Sequence, residues 1–207
     1  MPYNRSNKFS EDDISLSIPN GALYDTLNFS YKKEDGANGI LSDLHYIHNI
    51  YSPLHKPYTL SIKAKTILPG MESKMLLIRL DSDMSKTAAS STWNDGYVTA
   101  DLLSFGRYYV GIDTVPPVIS ANGLVPGANL SGRKEIRIRI KDELSGIRSY
   151  EPSLDGKWAL FEYDQKNDVL IYTFDETRLK KGTKHELVLK VTDNKENTNI
   201  YKCNFSW

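Results

Sequence analysis

The sequence predicts an all-β protein built from two tandem β-sandwich domains, the second immunoglobulin-like or fibronectin-III-like with about seven strands. Three observations favour this fold. Short segments alternate apolar and polar residues with a period of two, Asp-Gly and Pro-Asn-Gly turn signals separate several of them, and no segment of the first half has a convincing period of 3.6 residues. A proline-stiffened segment near the middle leaves about a hundred residues on each side, a usual size for one domain.

The dividing segment runs from Ile112 to Ile119 and contains two successive prolines. Each proline locks φ, so the segment can enter an edge strand but cannot form a helix. We therefore expect a hinge between one domain at residues 1–113 and another at residues 114–207. Its residues are Asp113, Thr114, Val115, Pro116 and Pro117.

In the first half, alternation predicts strands at Asp13–Ile18, Leu27–Tyr31, Leu44–Tyr51, Tyr58–Ala64, Met75–Leu80 and Phe105–Ile112. The charged stretch Lys32–Gly39 is predicted to be a loop. Asn94-Asp95-Gly96 indicates a tight hairpin, because Asp-Gly readily supplies the positive φ angles that such turns need.

In the second half, Lys134–Lys141 alternates without error, with isoleucines on one face and basic residues on the other. One face should be core and the other solvated. Further strands are predicted at Ile147–Ser153, at Trp158–Tyr163 after a turn at Asp155-Gly156, and at Asp168–Phe174, His185–Val191 and Asn199–Trp207, with a short helical turn near Asp175–Lys181.

Composition excludes several classes of function. The 26 basic and 26 acidic residues are interspersed, so no footprint for nucleic acid or anionic lipid is present. The single cysteine, Cys203, excludes an internal disulfide framework and a cysteine-based zinc site. No apolar run approaches the length of a membrane span, and Met1–Ser10 is polar where a signal peptide has its apolar core. If the protein is exported, this chain should be a piece of something longer.

Signals for catalysis are weak. His45, His48 and His55 lie close in sequence, but H-x-x-H binds zinc well on a helix, whereas in a strand His45 and His48 point to opposite faces. Neither a nucleophile elbow nor a glycine-rich phosphate loop occurs in the sequence. His185 and Cys203 both fall on the core side of their strands, where packing roles are expected.

Two further groups are candidate binding residues. The aromatic residues Trp93, Tyr97 and Trp158 are candidates for a sugar-binding platform, with core or hairpin packing as the alternative. Asp113, Asp142, Glu143 and Asp193 are candidate calcium ligands, because immunoglobulin-like topology brings their loops to one end of the second domain. The alternative is that Asp142 and Asp193 cap turns.

Several motifs carry a resemblance to a known family. In the second half they are Asp113–Ile119, Asp142–Ile147, Leu154–Trp158, Gly182–Leu187 and Val191–Asp193. They resemble the C-terminal immunoglobulin-like domain of lysostaphin-type zinc endopeptidases from Bacteroidetes. In the first half, Ile18–Tyr24, Ser52–Pro57, Trp93–Gly96 and Phe105–Tyr108 are similar to the β-domain that precedes it.

The family's catalytic motifs, H-x-x-x-D and H-x-H, are absent from the sequence, since His45-Tyr-Ile-His48 has the wrong spacing. The resemblance therefore implies a non-catalytic accessory region without a cofactor of its own. Such a region would position or shield the peptidase domain of the same parent chain, which acts on peptidoglycan in the periplasm or cell envelope. The alternative is an independent glycan-binding or adhesin-type module.

Overall fold

The computed structural model describes residues 1–37 and 39–207, and the chain divides into two compact units, Met1–Thr114 and Val115–Trp207. Within the described residues the regular structure is β-strand, apart from one 3₁₀ turn at Glu72–Lys74. The all-β fold class is therefore confirmed. None of the described segments forms a helix with the length and apolar character needed to cross a membrane.

Unit 1 contains two five-stranded sheets. The first has the order β1-β2-β5-β9-β8 and the second β3-β4-β10-β6-β7. The strands are β1 (Asn7–Glu11), β2 (Ile14–Ile18), β3 (Tyr31–Glu34), β4 (Leu44–Ile47), β5 (Tyr58–Lys63), β6 (Met75–Leu80), β7 (Lys86–Ala88), β8 (Thr92–Asn94), β9 (Tyr97–Leu102) and β10 (Gly106–Ile112).

The core of unit 1 lies between these two sheets. Leu16 and Leu60 contribute from the first sheet, and Ile47, Leu77 and Val110 from the second. All five are buried, as the inward positions of strands with one solvated face should be. Unit 1 is therefore a β-sandwich.

Unit 2 contains a four-stranded sheet, β11-β13-β17-β16, and a five-stranded sheet, β12-β19-β18-β14-β15. Its strands are β11 (Val118–Ser120), β12 (Ala128–Asn129), β13 (Glu135–Lys141), β14 (Ile147–Leu154), β15 (Lys157–Trp158), β16 (Glu162–Asp164), β17 (Val169–Thr173), β18 (Lys184–Asp193) and β19 (Thr198–Ser206). Two of these nine strands have only two residues, so seven longer strands carry the fold.

The core of unit 2 follows the predicted alternation. Ile136, Ile138 and Ile140 of β13 are buried, whereas the side chains of Arg137 and Arg139 are each 58% exposed. Leu187, Leu189 and Val191 of β18 are buried in the opposing sheet and belong to the same cluster. His185 and Cys203 are also buried, as their strand positions predict.

Two turn predictions are confirmed in detail. Asp95 and Gly96 link β8 to β9 with φ angles of 46° and 84°. Asp155 and Gly156 link β14 to β15 with φ angles of 51° and 73°. Positive φ at both central residues is what a two-residue hairpin of type I′ requires, so the Asp-Gly signal defines both hairpins.

The hinge residues lie outside regular structure, and the chain enters β11 at Val118. β11 is an edge strand paired with β13, which is where a segment following prolines can join a sheet. Within unit 2, Asn199 Nδ2 donates to the Pro117 carbonyl at 2.8 Å. The boundary between the units follows Thr114, one residue later than the predicted boundary after Asp113.

The strand predicted at Leu27–Tyr31 is wrong, because β3 begins only at Tyr31 and continues to Glu34. The backbone of Leu27 instead bonds to the N-terminus: its N–H donates to the Met1 carbonyl at 2.9 Å, and its carbonyl accepts from the terminal ammonium at 2.7 Å. The loop predicted at Lys32–Gly39 is therefore shorter, and its residue Asn38 lies outside the described residues.

Two other strand predictions are wrong in part. β4 stops at Ile47 instead of Tyr51, because His48 adopts a φ of 47°, which a strand does not accommodate. The single strand predicted at Trp158–Tyr163 is two strands, β15 and β16, which belong to different sheets. The chain crosses between the sheets through residues 159–161, where Ala159 and Phe161 are buried.

Candidate functional site

Three loops of unit 1 meet at one end of its sandwich. Residues 48–57 join β4 to β5, residues 19–30 join β2 to β3, and residues 103–105 join β9 to β10. The register brings them together, since Ile47 pairs with both Tyr31 and Gly106, and Tyr58 pairs with Leu102. We call these three loops the loop end of unit 1.

Direct contacts connect two of these loops, residues 19–30 and residues 48–57. Leu23 and Leu54 form an isolated β-bridge, and the His55 N–H donates to the Ala22 carbonyl at 2.8 Å. The Tyr24 hydroxyl lies 3.3 Å from His55 Nδ1, with the two rings 5.5 Å apart in an edge-on arrangement. Loops 19–30 and 48–57 therefore form one surface.

The loop end exposes large apolar side chains. Tyr51 is 86% exposed, Tyr24 and Leu103 are each 63% exposed, and Ile50 is 51% exposed. Scattered exposed apolar residues are normal, but several on adjoining loops at one end of a domain are typical of an interaction site.

His48 is the polar centre of the loop end. Its Nε2 lies 2.8 Å from Ser52 Oγ and 3.0 Å from Asn49 Nδ2, and its Nδ1 lies 3.4 Å from Ser30 Oγ. Its backbone N–H also donates to the Ser30 carbonyl at 2.8 Å. One residue therefore braces loop 48–57 against loop 19–30.

Aromatic rings surround the His48 imidazole. Phe29 is stacked with it at a centroid distance of 6.3 Å, and Phe105 meets it edge-on at 5.5 Å. Burial among these rings lowers the pKa of His48. The imidazole is therefore neutral at physiological pH, with one nitrogen as a donor and the other as an acceptor.

The arrangement of Ser52 and His48 superficially resembles a nucleophile beside its base. Two features argue against catalysis. First, the Asn49 amide competes with the Ser52 hydroxyl for His48 Nε2. Second, His48 Nδ1 faces the Ser30 hydroxyl, whereas a catalytic histidine would have a carboxylate there to stabilise the imidazolium. The geometry suits a brace that fixes the shape of the loop.

The predicted aromatic platform is not assembled from its first two members. Trp93 pairs with buried Val98 and packs against the core, whereas Tyr97 is adjacent to Val98 in the strand and so faces the other side of the sheet. Lys63 Nζ lies 6.0 Å from the Tyr97 ring centroid. Trp158 belongs to unit 2 and is 63% exposed.

Within unit 2, two of the predicted calcium ligands are turn acceptors. Asp142 Oδ1 accepts from the N–H of Leu144 at 3.1 Å and of Gly146 at 2.7 Å. Asp193 is fully buried and accepts from the N–H of Lys195 and of Asn197, both at 2.8 Å.

A carboxylate oxygen of Asp142 lies within 4.8 Å of one from Asp193. Glu143 is exposed, and its carboxylate pairs with Lys141 Nζ at 2.7 Å. Asp113 is a buried residue of unit 1 whose N–H donates to the Lys74 carbonyl at 3.1 Å. Calcium binding by these residues stays a prediction.

In the described part of the chain, no cluster of three potential metal ligands includes a histidine. His45 is buried between the sheets, with Nδ1 2.9 Å from the Tyr31 hydroxyl. His185 in unit 2 is also buried, with Nδ1 2.7 Å from Asp155 Oδ2 and Nε2 3.0 Å from the Lys180 carbonyl. These are packing roles.

Sequence reasoning missed the loop end. Tyr24, Ile50, Tyr51 and Leu103 belong to three separate loops, and strand alternation says nothing about which loops adjoin. The available signal was the composition of residues 48–57, His-Asn-Ile-Tyr-Ser-Pro-Leu-His-Lys-Pro. Tyrosine, serine and asparagine between two strands are typical of loops that bind other proteins.

Comparison with known proteins gives similarities to a domain family and to solved structures. A model of the Zu5-like domain family matches residues 1–113. Among solved structures, fibronectin(III)-like modules of CbhA from Clostridium thermocellum are similar at 14% identity and a TM-score of 0.33, covering 72% of this chain and 84% of that chain. None of the curated proteins matches the chain.

Proposed function

We propose that this chain, which belongs to the Zu5-like domain family through residues 1–113, is a non-catalytic binding module whose loop end in unit 1 contacts a protein partner. One observation carries the proposal: Tyr24, Ile50 and Tyr51 are exposed on two loops that contain the hydrogen bonds Tyr24–His55 and His48–Ser52, and Leu103 is exposed on the third loop at the same end of the sandwich. A braced loop loses little conformational entropy on binding, which favours affinity.

A protein surface fits the loop end better than a sugar does. Carbohydrate platforms rely on the flat faces of aromatic rings, whereas Ile50 and Leu103 offer branched aliphatic groups that pack into apolar pockets. The same loops carry the hydroxyl and amide groups of Ser30, Asn49 and Ser52, which surround His48. Apolar side chains together with polar groups and exposed tyrosines are the usual composition of a protein–protein interface.

The finer proposal concerns the identity of the partner. We propose that it is the peptidase domain of the same parent chain, a peptidoglycan endopeptidase of the periplasm or cell envelope. The resemblance of motifs in both halves to the accessory region of lysostaphin-type zinc endopeptidases supports this. The parent reading frame upstream of Met1 should then encode H-x-x-x-D and H-x-H. Their absence would refute this identity and leave the binding role of the loop end to be tested separately.

Calorimetric titration of the separately produced peptidase domain with the full chain tests the loop end. We expect Tyr51→Ser to weaken binding by about 30-fold, the effect of losing an interfacial tyrosine worth about 2 kcal/mol. Leu103→Ser should weaken binding several-fold. The matched control is Leu160→Ser, a leucine of unit 2 that is 57% exposed, against 63% for Leu103. Equal dissociation constants for the wild type, both loop variants and the control would refute the proposal.

A glycan-binding or adhesin-type module is the second candidate function, and the exposed Trp158 ring favours it. A sedimentation assay with purified murein sacculi separates the two candidates. Binding that Trp158→Ala abolishes and Tyr51→Ser leaves unchanged would support the glycan function. The protein-partner proposal expects the wild-type chain to remain in the supernatant.

A further inference from the structure

We propose that His48 is the positioning residue of the loop end: its neutral imidazole fixes the turn that presents Ile50 and Tyr51, and its protonation releases that turn. The consequence for partner binding rests on the function proposed above. The effect of protonation on the turn is independent of that function, because every contact that supports this effect lies within the described part of unit 1.

The protonation state that the turn requires follows from the Asn49 amide. The Tyr51 N–H donates to Asn49 Oδ1 at 3.0 Å, so the oxygen of this amide is assigned. The other amide atom, Nδ2, is then a donor and lies 3.0 Å from His48 Nε2. His48 Nε2 must therefore be an acceptor.

The opposite ring nitrogen completes the assignment. With Nε2 as the acceptor, the neutral imidazole carries its proton on Nδ1, which donates to Ser30 Oγ at 3.4 Å. The Ser52 hydroxyl, 2.8 Å from Nε2, shares this acceptor with the Asn49 amide. One tautomer therefore connects three polar side chains, and it holds both ends of the 49–52 turn to the ring.

Protonation removes the acceptor on which this network depends. An imidazolium presents N–H donors at both nitrogens, so Nε2–H would face the Asn49 Nδ2 donor at 3.0 Å. Ser52 can rotate its hydroxyl and accept instead. Asn49 cannot rotate its amide without losing the bond from the Tyr51 N–H. The residues that protonation displaces are therefore Asn49 and the Ile50-Tyr51 pair that follows it.

The surroundings of the ring do not favour the imidazolium. Phe29 of loop 19–30 and Phe105 of loop 103–105 cover it, and its own loop contributes the Asn49 and Ser52 groups. Burial lowers the pKa of His48, and no charged side chain in the described residues adds to the shift. The neutral form is therefore the stable one near neutral pH, and the charged form appears on acidification.

Backbone strain gives the network a second role. His48 has a φ of 47°, a conformation that costs most residues about 1 kcal/mol or more. The Ser30 carbonyl, which accepts from the His48 N–H at 2.8 Å, and the side-chain network hold it there. Asparagine tolerates this φ well, so His48→Asn keeps the backbone while removing the titrating ring.

Nuclear magnetic resonance of the full chain, titrated from about pH 8 to about pH 4, tests the turn without a partner. We expect the amide signals of Ser30, Tyr51 and Ser52 to shift together with the His48 ring signals. These shifts should vanish in His48→Asn and persist in His55→Asn, which removes the other loop-end imidazole. If His48→Asn is poorly folded, His48→Gln serves as the second non-titrating variant. Amide signals that stay fixed while the His48 ring titrates would overturn the proposal.

Binding measured at the two ends of this pH range tests the consequence. If about a tenth of the molecules keep the turn at low pH, the apparent dissociation constant rises about tenfold, and His48→Asn should abolish this dependence. An affinity that stays constant while the loop amides shift would support the release of the turn and refute the proposed binding role. An identical loss of affinity in His48→Asn would overturn the role of His48.

Discussion

Replacing Ile138 tests which side chains of β13 point into the core of unit 2. Ile138 is fully buried, whereas the side chain of its neighbour Arg139 is 58% exposed. Truncation to alanine removes three carbon atoms, a transfer cost of about 2.4 kcal/mol, and the remaining cavity raises the total to about 3–4 kcal/mol. A unit of this size has a total stability of roughly 5–14 kcal/mol, so an unpaired lysine at the same position should unfold it.

Urea denaturation of the full chain measures the difference. Trp207 is buried and stacked on Phe174 with centroids 4.5 Å apart, so in a Trp93→Phe background, which lacks the tryptophan of unit 1, tryptophan fluorescence reports the unfolding of unit 2. Arg139→Ala is the matched control: it removes an exposed ion pair with Asp168, at 3.7 Å, and should cost less than about 1 kcal/mol. Equal losses for Ile138→Ala and Arg139→Ala would refute the assigned facing of the strand.

Three other outcomes are expected. Asp193→Ala should destabilise unit 2 by about 2–3 kcal/mol in the same assay, because the variant loses a buried carboxylate that accepts from two backbone N–H groups. A destabilisation below about 0.5 kcal/mol would contradict this structural role. If Asp142 and Asp193 of unit 2 bind calcium, millimolar calcium should raise the melting temperature in calorimetry; a calcium-independent value would exclude calcium binding by these residues. Incubation of the chain with murein sacculi and zinc should release no muropeptides above background, and dose-dependent release would refute the non-catalytic assignment.

The predictable parts of this fold are those in which local sequence and tertiary structure agree. On β13, isoleucine and basic residues alternate without error, so one face had to be core. At Asp95-Gly96 and Asp155-Gly156, the turn chemistry selects the positive φ angles that the structure contains. In both cases the information lies within fewer than ten residues, and no distant contact is needed to interpret it.

The incorrect parts depend on distant contacts. Residues 158–163 have the composition of one strand, yet the chain crosses between sheets there because Ala159 and Phe161 enter the core. The backbone of Leu27 bonds to Met1 instead of forming the predicted strand. The candidate site has the same origin, since the loops that carry Tyr24, Tyr51 and Leu103 come to one end of the sandwich only after three pairs of strands are in register.

The H-x-x-H spacing of β4 shows how a local motif acquires two unrelated roles. Leu44, His45, Tyr46 and Ile47 give no parity signal, because apolar residues occupy both faces of this strand. Hydrogen-bond partners determine which face of the strand points inward: His45 Nδ1 lies 2.9 Å from the Tyr31 hydroxyl inside the sandwich. Burial there lowers the pKa of His45. The positive φ of His48 then ends the strand and turns the second imidazole toward Ser30 and Ser52. His45 therefore packs in the core, whereas His48, three residues later, shapes a surface loop. Because the two imidazoles face different surroundings, they do not have the geometry to bind one metal ion together.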